Sequence, residues 1–341
     1  MIPAQRLILV LMLIVLATGL AACGQPTPES TPPPEPVRVQ LSWFHNVEFA
    51  GFYMAQDKGF YAEQGLDVEL VAGGIEEDGN VIIPVDEVTS GAADFGVSDG
   101  GALLLARAEG APVVAIATIY QLSPVTFTSL AENNIRTPQD LIGKTVSIDE
   151  FGSGPIFRAL LSSQGIDPAD INIVQRTDFS TNTLTNGEVD VLDGWITNEV
   201  TLLEAQGVEV NIIMPSEYGI DMYPDVIFTT EDTLANRPDL VQAFITATLR
   251  GIQAALDDPD RAAALAVAAD PSLDLEGQKQ SMLRSLPLLD PPGSYPGAMR
   301  AEVWELTMSA LLEQGILSEP VDYQAAYTTA FVEAAQPEPQ P

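Results

Sequence analysis

The chain has 341 residues, of which 14 are Lys or Arg and 48 are Asp or Glu, for a net charge of −34. So acidic a chain lacks the basic footprint that nucleic acid requires, and it works against long-range steering of an anionic ligand. With 46% apolar residues it can bury a substantial core, which excludes a disordered chain, and its length suits two domains better than one.

Residues 1–22 read as a secretion leader: Arg6 supplies the positive start, residues 7–16 are apolar, and Leu20-Ala21-Ala22 precedes Cys23, the only cysteine. Leu-Ala-Ala-Cys matches a lipobox, so Cys23 is expected to become a lipidated N-terminus. The mature protein would then sit at the extracytoplasmic face of the cell membrane, held by lipid alone. Loss of Arg6 with the leader leaves 13 basic and 48 acidic side chains, a net charge of −35. Residues 24–36 contain six prolines and read as a semi-rigid tether. Residues 336–341 read as a frayed tail.

From residue 37 the pattern alternates between strands and helices. Strands are expected at 37–43, 66–72, 93–97 and 113–120, with helices at 48–64, 85–91 and 102–109. The pattern then restarts. Strands at 125–130, 145–149, 171–175, 189–192 and 208–214 alternate with helices near 137, 155–163, 180–186 and 198–206. One more strand, 225–230, precedes four helical runs at 239–256, 261–269, 276–283 and 300–314, which read as cover for a sheet. The expected architecture is α/β, with mostly parallel sheets in two lobes. Lobe one takes 37–121 and 222–335, lobe two takes 122–221, and the two crossings form a hinge. Such a plan suits closure around a small ligand.

Residues 41–65 hold seven aromatics and the only histidine, His45, which rules out a multi-histidine metal site. Most of these aromatics keep helical spacing and belong to the core. The turn 43–48 follows the first strand, and in open α/β sheets ligands sit beyond the carboxyl ends of strands. Trp43 is therefore expected to stack on a flat ring, with His45, Asn46 and Glu48 at the ring's edge. By the same rule Ser98 and Asp99, Tyr120 and Gln121, Asp193 and Trp195, and Asn198 and Glu199 are candidate ligand contacts. Ser153 lies in a glycine-rich turn before a helix, where free N–H groups can hold a polar atom. Tyr218 and Tyr223, at the second crossing, could line the cleft. Lysine occurs only at 58, 144 and 279, and none of the strand-end stretches expected at the cleft contains Lys or Arg. Sulfonate, phosphate and carboxylate handles are thus disfavoured, and a neutral or weakly basic aromatic ring with hydroxyl or amide groups fits best. A Ser-His-Asp triad through His45 is formally possible, but no GxSxG nucleophile elbow is expected, and no catalytic residue and no cofactor is assigned.

The run VQLSWFHNVEFAGFYMAQDKGFYAEQGLDVELVAGG resembles the start of the thiamine-pyrimidine-synthase-like family of solute-binding proteins. Asp94-Phe95-Gly96-Val97, Leu141-Ile142-Gly143-Lys144-Thr145-Val146, Thr185-Asn186-Gly187-Glu188-Val189-Asp190 and Trp195-Ile196-Thr197-Asn198-Glu199 resemble it in the same order. The resemblance implies a type II periplasmic-binding-protein fold and service to the permease and ATPase of an ABC importer. It also implies a vitamin-like ligand, riboflavin or, as the alternative, a formylated or hydroxymethylated thiamine pyrimidine precursor. The family's enzymatic branch uses a cysteine cluster and a lysine-bound pyridoxal phosphate. Cys23 alone cannot supply that cluster.

Overall fold

The computed structural model describes residues 33–75, 81–150 and 152–336. The expectations for the leader, for Cys23 and for most of the tether lie outside the described residues, as do those for Phe151 and for the tail beyond Gln336.

Ten strands form two five-stranded sheets. The first lobe holds β1 (Glu35–Gln40), β2 (Leu66–Val71), β3 (Phe95–Ser98), β4 (Val113–Thr118) and β10 (Val226–Thr230), in the order β2-β1-β3-β10-β4. The second holds β5 (Val125–Leu130), β6 (Thr145–Ile148), β7 (Asn172–Gln175), β8 (Val191–Trp195) and β9 (Val210–Ile213), in the order β7-β6-β8-β5-β9. The sheets are not uniformly parallel. β10 runs antiparallel to β3 and β4, and β5 antiparallel to β8 and β9. Each is the first strand after a crossing between lobes, so it enters its sheet from the hinge side and reverses direction.

Two segments depart from the expected pattern. The first strand starts at Glu35, inside the expected tether. Pro36 is tolerated there because β3 pairs only with Val39 and Gln40, leaving Pro36 without a ladder partner on that side. The helix expected over 48–64 is broken. A turn at Val47–Phe49 leads into the helix Ala50–Asp57, Gly59 takes a left-handed φ of 73°, and a short helix Phe60–Glu63 follows. Only glycine makes that turn without cost.

The helix-spaced aromatics do pack inward. Phe95, Tyr61 and Phe52 stack against Phe244 of the helix Pro238–Asp257, at ring distances of 4.0, 5.8 and 6.3 Å. The Tyr61 hydroxyl pairs with Thr248 at 2.8 Å, so this buried phenol is satisfied. On the other face of the same sheet Trp304 stacks on Tyr327 at 5.4 Å. Tyr223 is buried beside it, its hydroxyl accepting from the Arg300 N–H, so Tyr223 belongs to this core and not to the cleft. The second lobe closes over Phe127 and Phe157, with Val146, Ile148, Leu160 and Val191 around them.

At the hinge the two crossings are tied together. The Asp221 carboxylate accepts from the Ser123 N–H at 2.9 Å and pairs with Arg300 at 3.2 Å. The helix Leu275–Leu289, expected as cover, has a second role. Its Ser281 donates to the Thr197 carbonyl and its Arg284 pairs with Glu204, both in the second lobe. Its Gln278 accepts from the Val47 N–H at 2.8 Å, beside the aromatic turn of the first lobe.

Candidate functional site

The loop after β1 leaves the sheet at Leu41 and delivers Trp43 and Phe44 to the surface, 36% and 44% exposed. Their rings meet edge to face at 5.4 Å. The next two residues look inward. His45 pairs with the Tyr53 hydroxyl at 3.0 Å, and burial pushes its pKa down. Asn46 caps the turn, accepting from the Glu48 N–H at 2.6 Å and donating to the Phe44 carbonyl. Both side chains are therefore held by the chain itself.

Beneath Trp43 lies a group of acids. The Ser42 hydroxyl lies 3.2 Å from a Glu48 oxygen and 3.1 Å from an Asp225 oxygen. Asp225 is fully buried where the chain returns to the first lobe, and no N–H or O–H of another group reaches its Oδ2. Two carboxylates this close cannot both ionise without a cation, so they share a proton. Desolvation pushes Glu48 up to about 7, and Asp225 well above the usual carboxylate range. Asp99 caps the helix Gly100–Ala108, accepting from the Ala102 N–H at 2.7 Å. Desolvation raises its pKa, against the pull of the N–H groups it accepts from.

Gly96-Val97-Ser98-Asp99-Gly100 spells GxSxG at a strand-to-helix turn, a pattern that hydrolases use to present a nucleophile. Its presence corrects the expectation of a chain without that motif, in which Ser98 and Asp99 serve only as strand-end contacts. Ser98 is buried, and it lacks the strained backbone of a nucleophile elbow, since Asn134 is the one non-glycine residue at positive φ among the described residues. We assign it no catalytic role.

The second-lobe wall is built on β8. The strand runs through to Trp195, so Asp193 and Gly194 lie within it and not past its end. Asp193 accepts from the Asp149 N–H at 2.8 Å and from the Ser153 hydroxyl, and it pairs with Arg176 at 3.2 Å. Desolvation still raises its pKa, against the pull of those partners. Glu199 folds back over β8, accepting from the Trp195 N–H at 2.8 Å and from Arg176 at 3.0 Å. A Cβ on Gly194 would fall 2.7 Å from that carboxyl, so only glycine leaves it room.

Arg176 corrects the expectation that the stretches at the cleft carry no Lys or Arg, since it pairs with two of the expected contacts. It follows β7 directly and is buried between Asp193 and Glu199. The earlier conclusion about anions survives for a different reason. All five N–H groups of Arg176 are taken: by the Asp178 and Phe179 carbonyls, by the Asp193 carbonyl and carboxylate, and by Glu199. No donor remains for an anion.

Phe179, in the loop after Arg176, was not among the expected contacts. It is 47% exposed and its ring lies 6.2 Å from that of Trp43, across the cleft. One aromatic from each lobe thus faces the other at the mouth. Near the hinge, Trp195 packs against the cores of both lobes and meets Tyr120 edge on at 5.9 Å.

Several expected contacts are committed elsewhere. Tyr120 is buried with its hydroxyl on Ser285 at 3.0 Å. Gln121 donates to the Leu289 and Tyr295 carbonyls and accepts from Ser294, so its amide is used up. Ser153 is spent on Asp193, and Tyr218 packs against the second-lobe core. Asn198 stands exposed before the helix Glu199–Ala205, making no side-chain cap. Of the other expected contacts, Trp43 is exposed and Trp195 half-buried, whereas Glu48 is held by Ser42 and Glu199 by Arg176 and the Trp195 N–H.

Residues 46–262 match the family described as NMT1/THI5 like. The chain belongs to this family. The chain is 31% identical to the riboflavin-binding protein RibY of Chloroflexus aurantiacus, over 97% of this chain and 99% of that one. It is 28% identical to a formylaminopyrimidine-binding protein of Halalkalibacterium halodurans, over 94% and 98%. Among solved structures, the periplasmic aliphatic sulphonate binding protein SsuA of Escherichia coli superposes with a TM-score of 0.70 at 16% identity, over 86% of this chain and 92% of that one. That likeness places this NMT1/THI5-like chain in the periplasmic-binding-protein fold, as its two sheets and double crossing require.

Proposed function

We propose that this protein is the substrate-binding component of an ABC importer, lipid-anchored through Cys23 on the extracytoplasmic face of the membrane, and that it captures riboflavin. The observation that carries the reading is the pair Trp43–Phe179, one ring from each lobe, beside the buried Arg176, which has no donor to spare. A flat, uncharged ring system suits that arrangement. The rings stand 6.2 Å apart and are tilted by 56°. A ligand ring slid between two aromatic faces needs about 7–8 Å between them, two van der Waals contacts deep. Binding therefore begins with a small opening of the lobes and ends with both rings parallel to the ligand. The kinship with RibY supports a flavin as that ligand.

A second reading, an aminopyrimidine, is favoured by the acids beneath Trp43. Glu48 and Asp99 could accept from an exocyclic amine, and a formylaminopyrimidine-binding protein is among the relatives. Competition between the two ligands in one titration separates the readings.

Riboflavin titrated into the protein should bind one to one without turnover, and its fluorescence should be quenched on stacking. No heat and no quenching would end the assignment. Trp43→Ala should weaken binding by about 1–3 kcal/mol, the usual worth of one aromatic stacking face, while the melting temperature holds. Unchanged affinity would return Trp43 to a merely exposed position.

A further inference from the structure

Arg176 is the residue of this cleft that the ligand reading leaves without a role. Its five donors reach three separate pieces of chain. Two go to the carbonyls of Asp178 and Phe179, so the loop that carries Phe179 is wrapped around its own arginine. Two go to Asp193 on β8, and one goes to Glu199 at the start of the next helix. The guanidinium carbon also lies 5.0 Å from the centre of the Phe179 ring, within cation–π range. Glu199 in turn holds the Trp195 N–H.

We infer that Arg176 is a positioning residue: it fixes Phe179 opposite Trp43 and holds Asp193 and Glu199 in the second-lobe wall, and with all five donors spent it offers a phosphate nothing to bind, so that the cleft takes an uncharged ring and refuses its phosphorylated form. This rests on the proposed function and deepens it. A lysine cannot do the same work. It has three donors on a point charge, without the planar fork that spans loop, strand and helix or the flat face that stacks on Phe179. The charged groups facing Arg176 are Asp178 in its own loop, Asp193 on β8 and Glu199 on the following helix, with Asp149 adjoining Asp193 through its N–H. With the arginine removed, the one cation that pairs with both Asp193 and Glu199 is gone, and the wall becomes more anionic.

The test compares wild type, Arg176→Lys, Arg176→Met and Phe179→Ala. Each is titrated with riboflavin and with its phosphate monoester from about pH 5 to about pH 8, a span in which buried carboxyls with raised pKa lose their protons. The wild type should bind riboflavin at least about tenfold more tightly than the phosphate ester. Arg176→Lys and Arg176→Met should lose about tenfold or more in riboflavin affinity, and in Arg176→Met, where no cation is left beside Asp193 and Glu199, the loss relative to wild type should deepen as pH rises. Phe179→Ala should lose affinity by a similar factor and keep the wild-type pH profile. Wild-type affinity in Arg176→Lys would overturn the proposal. So would a wild type that binds the phosphate ester as tightly as riboflavin. A ligand-free measurement separates this inference from the flavin assignment. In Arg176→Lys the Trp195 amide should exchange with solvent about tenfold faster or more, because Glu199 is no longer held over it. Unchanged exchange overturns the positioning role, whatever the ligand. If Arg176→Met does not fold, the lysine variant, checked by circular dichroism, carries the test.

Discussion

Gly251→Val should destabilise the protein by about 3 kcal/mol or more and also empty the cleft. The helices Pro238–Asp257 and Ala50–Asp57 cross with their backbones in contact. A Cβ on Gly251 would lie 2.0 Å from the Gly51 carbonyl oxygen and 2.8 Å from Ala55 Cβ. A Cβ on Gly51 would meet Ile252 at 2.5 Å, so neither side of the crossing can give way. Overpacking a close contact costs about 1–3 kcal/mol, and more when backbone must move. Here the obstacle is backbone. Valine also brings poor helix propensity, although any residue other than proline gains some over glycine in a helix interior. The functional consequence comes from position. Helix Ala50–Asp57 starts immediately after the turn that holds Glu48, and the loop before it carries Trp43. Prying the helices apart shifts that turn against Asp225, which sits on the other side of Ser42. Urea unfolding gives the stability, and ligand titration of the folded fraction gives the affinity. Gly251→Ala tests the same contact more gently, with an expected net loss of about 1–2 kcal/mol after the propensity gain of up to about 1 kcal/mol. A valine variant within about 0.5 kcal/mol of wild type would show that the crossing is looser than these distances require.

Much of the fold is legible in the sequence because hydrophobic period is a local property. The strands over 66–71, 113–118 and 125–130 lie within a few residues of where alternation and apolar runs put them. The break at Gly59 was missed because Phe60 and Tyr61 keep the helical spacing across it, and spacing alone does not register one left-handed residue. The site was legible only in part. The rule that ligands sit at strand ends points to Trp43, Glu48, Asp99, Trp195 and Glu199 as candidates. It could not tell an open side chain from one already committed, and Tyr120 and Gln121 are committed to the helix Leu275–Leu289 and the loop after it, more than 160 residues away. Applied to the end of β7, the same rule would have flagged Arg176, the residue immediately after that strand. Phe179 carried no such signal. Its place opposite Trp43 depends on closure of the two lobes, and no pattern within the chain encodes that distance.

Glu48→Gln should remove a pH dependence of stability that the wild type carries through the acid pair. In the folded protein Glu48 titrates at about 7, against a usual value of 4.5, chiefly because burial disfavours its charge. Asp225 shares its proton and is itself raised, and Asp99, Tyr53 and Tyr120 feel the pair's charges or add to them. Between about pH 4.5 and about pH 7 the folded state therefore holds a proton that the unfolded chain has released. Where the folded state binds more protons, stability falls as pH rises. The stabilisation is complete below pH 4.5, is lost progressively across this window, and is gone above it. A full shift of this size would be worth about 3 kcal/mol at about 1.4 kcal/mol per unit. Glu48 retains some contact with water, so screening brings the expected effect to about 1–2 kcal/mol. Glutamine can still donate to Asp225 and accept from Ser42, but it does not titrate. The variant should thus match wild type near pH 4.5 and exceed it near pH 8. Urea unfolding of both proteins at a series of pH values reads this directly, and parallel curves would mean that Glu48 does not hold the shared proton.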